Sequence, residues 1–502
     1  MNATARRRGA AILRRTLRAP LAAALCGGLA GCAGTPDVGG VRAVSPAPEV
    51  PWRPPPTAAR PVRPDTAPPP PVPGDLAERI RRLTLEDVVD LGLRNNPATR
   101  LAWANARTAA AAYGAERGAW WPTVDAEVNA ARLQTAASQG RTAVEQSVLT
   151  PSVTLSYLLF DFGGRSGRVA GARQRLLAAG FGHNATIQDV VLQVQVAYFE
   201  YLATRALLQA QRTTLEEAEL NLTAAEERRR VGLATIADVL QARTAASQAR
   251  LDLQAVEGNL QTARGALALS LGLPANLPYD LDSTDTTAPV AALADSVDAI
   301  IAAAVAGRPD LAAARAEAEA ARAGIGEARA GLLPSLQFGA TGGRTYATTI
   351  PDGANSYTLS LGLAIPLFSG LARQYDVRAA ESAADAAAAR SESLRQQVIF
   401  QVFRAYHALQ TATRRVATAA DLVASAQQSN EVARGRYRSG VGSVLDLLAA
   451  QSALASARAQ QVEARLAWSV SLAQLAHDAG VLDPRGGNPL RLTTDTTSAP
   501  SR

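Results

Sequence analysis

Few side chains in this sequence could do chemistry, and their spacing narrows what that chemistry could be. His183, His407 and His477 are the only histidines, and Cys26 and Cys32 the only cysteines, in 502 residues. No histidine stands at the close spacing of a metal site, and no glycine-rich loop follows a strand-like segment to cradle a phosphate. Paired carboxylates such as Glu216-Glu217 fall in helical segments, where a solvated face accounts for them. The expectation is a protein without catalytic residues, cofactor or metal.

Two aspartates do recur in a shared setting. Val231-Gly232-Leu233-Ala234-Thr235-Ile236-Ala237-Asp238-Val239-Leu240 returns as Ser439-Gly440-Val441-Gly442-Ser443-Val444-Leu445-Asp446-Leu447-Leu448. In each copy a glycine ends one helix, and Thr235 or Ser443, three residues before Asp238 or Asp446, starts the next as a capping box. Each copy is therefore the tip of a helical hairpin. Val194 and Val402, Tyr198 and Tyr406, Gly232 and Gly440, and Asp238 and Asp446 all differ by 208 positions, so two homologous halves make the chain.

The elements that position the tips follow from pattern. Leu83 to Gly118 reads as helix, started by Thr84 with Glu86 and Asp87 and ended before Pro122; Ser296 to Gly331 is its counterpart, at an offset of 212. Asn96-Pro97 and Arg308-Pro309 split each into a short and a longer helix. The period then changes to two. Thr123, Asp125, Glu127 and Asn129 alternate with Val124, Ala126, Val128 and Ala130, and Ser152, Thr154 and Ser156 with Val153, Leu155 and Tyr157. Ser335, Gln337 and Thr341 against Leu336, Phe338 and Ala340, then Thr358 and Ser360 against Tyr357, Leu359, Leu361 and Leu363, repeat this as four strands per chain.

Strands of this length and alternation match a membrane barrel, although a soluble sheet with one wet face alternates in the same way. Four strands cannot close alone, since the smallest membrane barrels have about eight, so a barrel requires several chains. Beyond the strands, Arg165 to Arg230 runs without proline and could reach on the order of 100 Å as one helix, with Gly180 and Gly182 as places for a kink. Ile187, Val194, Tyr201, Leu208, Leu215 and Leu222 recur every seventh residue, and Val402, Leu409, Val416 and Val423 hold the equivalent places, which implies left-handed coiling. Half-length helices return from each tip, Thr235 to about Leu271 and Ser443 to about Gly480.

Composition agrees with this plan. The chain is 47% hydrophobic but 5% aromatic, with alanine replacing large core residues, which suits closely approaching helices. The net charge of +7 comes mostly from Arg6, Arg7, Arg8, Arg14, Arg15 and Arg18, all before an apolar run from Leu21 to Ala30. Removing this leader leaves +1, which excludes a nucleic-acid footprint. Leu29-Ala30-Gly31-Cys32 resembles the bacterial lipoprotein signal, in which Cys32 becomes the acylated first residue and Ala33 after it favours the outer membrane. The expected divisions are a lipoprotein signal peptide at 1–31, a proline- and alanine-rich tether at 32–76, halves at 77–275 and 293–483, a linker at 276–292 and a polar, mobile tail at 484–502.

In their order, these marks resemble the outer membrane efflux protein family, the TolC-like channels, and especially its lipidated members. The resemblance covers about Leu83 to Leu482. It rests on the two helix-strand-strand-helix-tip-helix halves, Pro122 and Pro334 before the strands, Phe160-Asp161-Phe162-Gly163 and Pro366-Leu367-Phe368-Ser369-Gly370 after them, Ala197-Tyr198 and Ala405-Tyr406, and both tips. It implies an α+β fold: a homotrimer with a shared 12-strand β-barrel in the outer membrane, continued by a helical tunnel in the periplasm. It further implies a passive exit duct for small molecules such as drugs or metal ions.

Tips around Gly232, Thr235, Asp238, Tyr437, Gly440, Ser443 and Asp446 would form the entrance and dock on a periplasmic adaptor energised by an inner-membrane transporter. Asp125, Glu127, Asn129 and Gln337 would face the lumen, and Val153, Leu155, Tyr157, Leu359 and Leu361 the lipid. Asp446 would add an acidic ring to its capping role, although Ala449 and Gly442 stand where some relatives carry a second aspartate and an arginine. Arg436 and Arg438 are candidates for a latch between tips. Type I protein secretion and a poreless coiled-coil lipoprotein are the alternatives.

Overall fold

A computed structural model describes residues 83–134, 145–276, 279, 281, 292–293, 296–482 and 492–493. The leader, Cys32 and the tether at 32–76 lie outside the described residues, as does the tail apart from Leu492–Thr493. In each half a short helix meets a longer one at the expected proline: α1 (Leu85–Asn95) and α2 (Pro97–Gly118), then α5 (Val297–Gly307) and α6 (Pro309–Ala330). Thr84 starts α1 with a full capping box to Asp87.

Strands β1 (Thr123–Gln134) and β2 (Glu145–Phe160) follow α2, and β4 (Ser335–Ala347) and β5 (Ile350–Ala364) follow α6. They are longer than the alternating runs alone indicate and form one antiparallel sheet in the order β1-β2-β4-β5. The two hairpins were legible as pairs. The β2–β4 seam that joins the halves was not, because it pairs residues nearly two hundred positions apart, such as Thr154 with Thr341.

A sharp turn leads from each hairpin into a long helix. Phe162 and Gly163 take positive φ before α3 (Gly164–Arg230), and Gly370 and Leu371 before α7 (Ala372–Arg438). Both helices run 67 residues unbroken, so Gly180 and Gly182 are accommodated within α3. The heptad positions Val194, Tyr201 and Leu208, and Val402, Leu409 and Val416, are buried. The helices α4 (Ile236–Ser270) and α8 (Val444–Asp478) return from the tips.

Alanine does the close work inside each hairpin. Ala218, Ala246 and Ala249 pack with Leu215 and Leu222, Ala225 and Ala242 with Val239, and Ala426 and Ala457 with Leu454 and Val423.

The longer helices are unequal. α6 lies against both α3 and α7, burying Leu311, Ala316, Ala318 and Ala320, whereas α2 lies against α3 and buries only Thr99. Within the chain α3 thus lies against both strand-preceding helices and α7 against α6. Of the linker between the halves, Tyr279, Leu281 and Ala292 are among the described residues. Tyr279 and Leu281 are buried, Leu281 bridges to Leu83, and β3 (Ala292–Leu293) pairs with β6 (Leu492–Thr493), so a piece of the polar tail returns to the body.

Candidate functional site

The sheet sorts its side chains by chemistry. In the register, Asp125 faces Thr154, Glu127 faces Ser152 and Asn129 faces Thr150, while Thr154 pairs with Thr341 and Leu158 with Gln337. Because paired residues share a face, Asp125, Glu127, Asn129 and Gln337 stand together on one side with Ser152, Thr154, Ser156, Thr341, Thr358 and Ser360. The hydroxyls of Thr154 and Thr341 lie 3.2 Å apart on that side. The opposite face carries Val124, Val128, Val153, Leu155, Tyr157, Phe338, Leu359 and Leu361. Among the described residues both outer strands, β1 and β5, end the sheet with an unpaired edge.

At the helical end of the sheet, Gln337 lines a cavity of about 750 Å³ with Asp161, Arg168, Glu327, Arg373 and Asp376. The turn above it is held by Arg165, buried at 5% exposure, whose guanidinium donates to the carbonyls of Ala119 and Leu158 and stacks 3.9 Å from the Trp120 ring. Leu367 and Phe368 in the equivalent turn of the second half are almost fully exposed, as is much of Trp121. Arg165 and Trp120 were not singled out from the sequence; only the Trp-Trp pair before Pro122 hinted at them.

Both tips have the expected local structure. Gly232 and Gly440 take φ of +77° and +80°, which lets Leu233 N and Val441 N turn back to the carbonyls of Arg228 and Arg436 at 2.7 and 3.0 Å. Asp238 Oδ2 accepts from Thr235 N at 2.8 Å, and Thr235 Oγ1 accepts from Asp238 N at 3.2 Å. Ser443 and Asp446 repeat this at 3.4 and 3.1 Å. Both aspartates thus cap helices.

The tips meet through a residue the sequence reading missed. Arg228 Nη1 donates to the Tyr437 carbonyl at 2.7 Å, and its guanidinium sits 4.4 Å over the Tyr437 ring. Arg436 occupies the equivalent position in the second half, so the internal repeat carried a signal. Among the described residues neither Arg436 nor Arg438 forms an ion pair. Arg458 and Glu217, 3.6 Å apart, add a second polar contact between the hairpins. Val231, Leu233, Ile236, Leu240, Val441 and Leu445 are exposed around the tips, Leu233 at 72% and Val441 at 69%.

The third constellation lies at the joints where α4 and α8 end. In the first half, Asn96 caps α2 and its Nδ2 donates to the Ser270 carbonyl at 3.1 Å. At the same place in the second half Arg308 binds Asp310 through two nitrogens at 3.0 and 2.7 Å, Gln401 Oε1 at 2.7 Å and the Asp478 carbonyl at 3.2 Å. His477 stands between Asp478 and Asp189, at 3.0 and 2.8 Å. Burial alone would lower the His477 pKa, but hydrogen bonds to Asp189 and Asp478, together with their charges, raise it to about 9. Burial would raise Asp310, and the hydrogen bonds and charge of Arg308 overcome that to hold it below the usual carboxylate range. In the sequence Asn96 and Arg308 mark only helix breaks, each standing before a proline.

None of the described helices is long and apolar enough to cross a membrane. Comparison with known proteins identifies the family. The outer membrane efflux protein family model matches residues 88–273 and again 300–481, one match per half. Protein CyaE of Bordetella pertussis is 31% identical over 392 residues, covering 77% of this chain and 81% of that protein. The toluene efflux pump outer membrane protein TtgF of Pseudomonas putida is 28% identical over 393 residues, with the same coverages of 77% and 81%.

Among solved structures, a membrane protein from Pseudomonas aeruginosa superposes with a TM-score of 0.70 at 25% identity, covering 79% of this chain and 93% of that one. The CmeC outer membrane channel of Campylobacter jejuni shares the fold at a TM-score of 0.72, with 19% identity and coverages of 79% and 86%. Matched across both halves in order, the chain belongs to the outer membrane efflux protein family.

Proposed function

We propose that three copies of this chain close a 12-stranded barrel across the outer membrane and continue it as a periplasmic helical duct, through which small molecules leave the cell in a tripartite efflux system. The observation that carries this reading is the open sheet: four strands, apolar on one face and polar on the other, with unpaired edges on both β1 and β5. An unpaired strand edge is costly in a bilayer, and pairing β1 of one copy with β5 of the next removes every edge. Asp125, Glu127, Asn129 and Gln337 then face the water-filled lumen.

The helices support the same closure. α6 is covered by α3 and α7, while α2 lacks the second neighbour and exposes Leu101 and Trp103. α7 exposes Phe400 and Phe403. Packing α2 of one copy on α7 of the next supplies what α6 finds inside the chain.

The exposed apolar residues at the tips suit docking on helical hairpins of a periplasmic adaptor, which an inner-membrane transporter energises. Around the axis, three Asp446 carboxylates form a cation-attracting ring, and Arg436 and Arg438 meet tip carboxylates of the neighbouring copy to hold the entrance closed. Cys32, acylated after cleavage of the leader, adds a lipid anchor. Particle mass in mild detergent and conductance in planar bilayers test the reading. Trimers giving discrete conductance steps are expected; monomers or dimers without conductance overturn it in favour of a poreless periplasmic lipoprotein.

A further inference from the structure

We propose that the joint closing the second half is a proton-dependent clamp, in which His477 in its protonated form ties Asp189 on α3 to Asp478 on α8 and holds the α7–α8 hairpin against the first half. The geometry requires the proton. Ionised carboxylates only accept hydrogen bonds, and here one faces each ring nitrogen, at 2.8 and 3.0 Å. Only the imidazolium donates from both nitrogens. A neutral ring has one N–H, so either Asp189 or Asp478 would be left with a lone pair facing a lone pair.

The surroundings make that loss consequential. Asp478 is buried, with a side chain 3% exposed, and among the described residues its Oδ2 has no hydrogen-bond partner. Besides His477, its carboxylate receives Gln474 Nε2 at 2.9 Å and faces Arg308 Nη1 at 4.0 Å. Arg308 is already engaged with Asp310 and with Gln401 on α7, and Gln188 on α3 donates to the carbonyl of Gly480. Among the described residues, then, Asp189, Asp310, Asp478 and Arg308 are the charged groups around His477. When the ring loses its proton, the last turn of α8 gives up its charged attachment to α3, and the Arg458–Glu217 pair nearer the tips is the one that remains.

The first half shows that the fold does not need this arrangement. At the matching positions Asn96 replaces Arg308, Ser270 replaces Asp478 and Leu269 replaces His477, and a neutral hydrogen bond closes the joint. One joint titrates and its twin does not, which provides an internal control. The inference stands on contacts within one chain and does not depend on closure of the barrel.

Histidines of the full-length protein, labelled with ¹³C at Cε1 and followed by NMR, test the clamp together with deuterium exchange from neutral to alkaline pH. The His477 signal should titrate near 9 and move down by roughly a unit in Asp189→Asn, a change at an exposed carboxylate that spares the core. Exchange in the last turn of α8 should rise at least about tenfold beyond the intrinsic base-catalysed increase, while the last turn of α4 follows the intrinsic rate. His477→Asn should exchange fast at neutral pH without further response. Titration of His477 at or below its ordinary value, or equal responses of the two joints, overturns the proposal.

Discussion

The two halves close their helices with the same backbone and opposite chemistry. Gly272 and Gly480 both turn at positive φ, +68° and +72°, directly beneath the residue that caps the longer helix. Above Gly272 that residue is Asn96, and a neutral amide satisfies Ser270; above Gly480 it is Arg308, and four further side chains share its charge and that of Asp478. A repeated fold thus specifies where a polar group is needed and leaves open how it is satisfied. The neutral solution is insensitive to pH, whereas the charged one makes the second hairpin's attachment depend on a proton.

Substitutions at matched positions should separate the joints. Arg308→Leu leaves Asp310 without its cation and Asp478 with His477 alone, and should cost about 3–5 kcal/mol in denaturant unfolding, as when one partner of a buried pair is removed. Asn96→Ala, its counterpart, should cost about 1–2 kcal/mol for a lost cap and a hydrogen bond.

The next effect in size is pH. Because folding raises the His477 pKa from 6.5 to about 9, its contribution is fully present below 6.5 and is lost as pH rises through about 9. Asp310, held low, contributes above its ordinary value of 3.8 and loses that contribution as pH falls below it. The unfolding temperature should therefore be highest between roughly pH 4 and 6.5. The alkaline loss should be at most about 3 kcal/mol, reduced because Asp189 is exposed, and His477→Asn should flatten that limb.

Smaller effects sharpen the likeness of the tips. Thr235→Ala and Ser443→Ala should each cost about 1 kcal/mol and raise exchange in the first turns of α4 and α8 equally, since both remove one side of a capping box. Asp446→Asn keeps an oxygen for the cap and should barely change stability; reduced cation preference in single-channel recordings would reveal the charge ring.

What the sequence made legible was local. The prolines at 97 and 309, the alternation in four strands, the heptads of α3 and α7 and both capping boxes are signals written within a few residues, and each appears where expected. The chemistry of the joints was not legible, because Arg308 and Asp478 lie 170 positions apart and neither belongs to a motif. The same holds for Arg228 at the tips, which binds the carbonyl of a residue 209 positions away. The 208-residue repeat was the one signal able to reveal both, since it aligns Ser270 with Asp478 and Arg228 with Arg436 and so marks where the halves diverge.

The shared barrel is tested most directly by cysteines placed along β1 and β5. Within one chain these strands are separated by β2 and β4, roughly 14 Å at the usual strand spacing, too far for a disulfide. Pairing between copies predicts that matched cysteines oxidise to a covalent trimer and no larger species. Failure of every β1–β5 pair to cross-link, or a ladder of species without closure at three, would contradict the account.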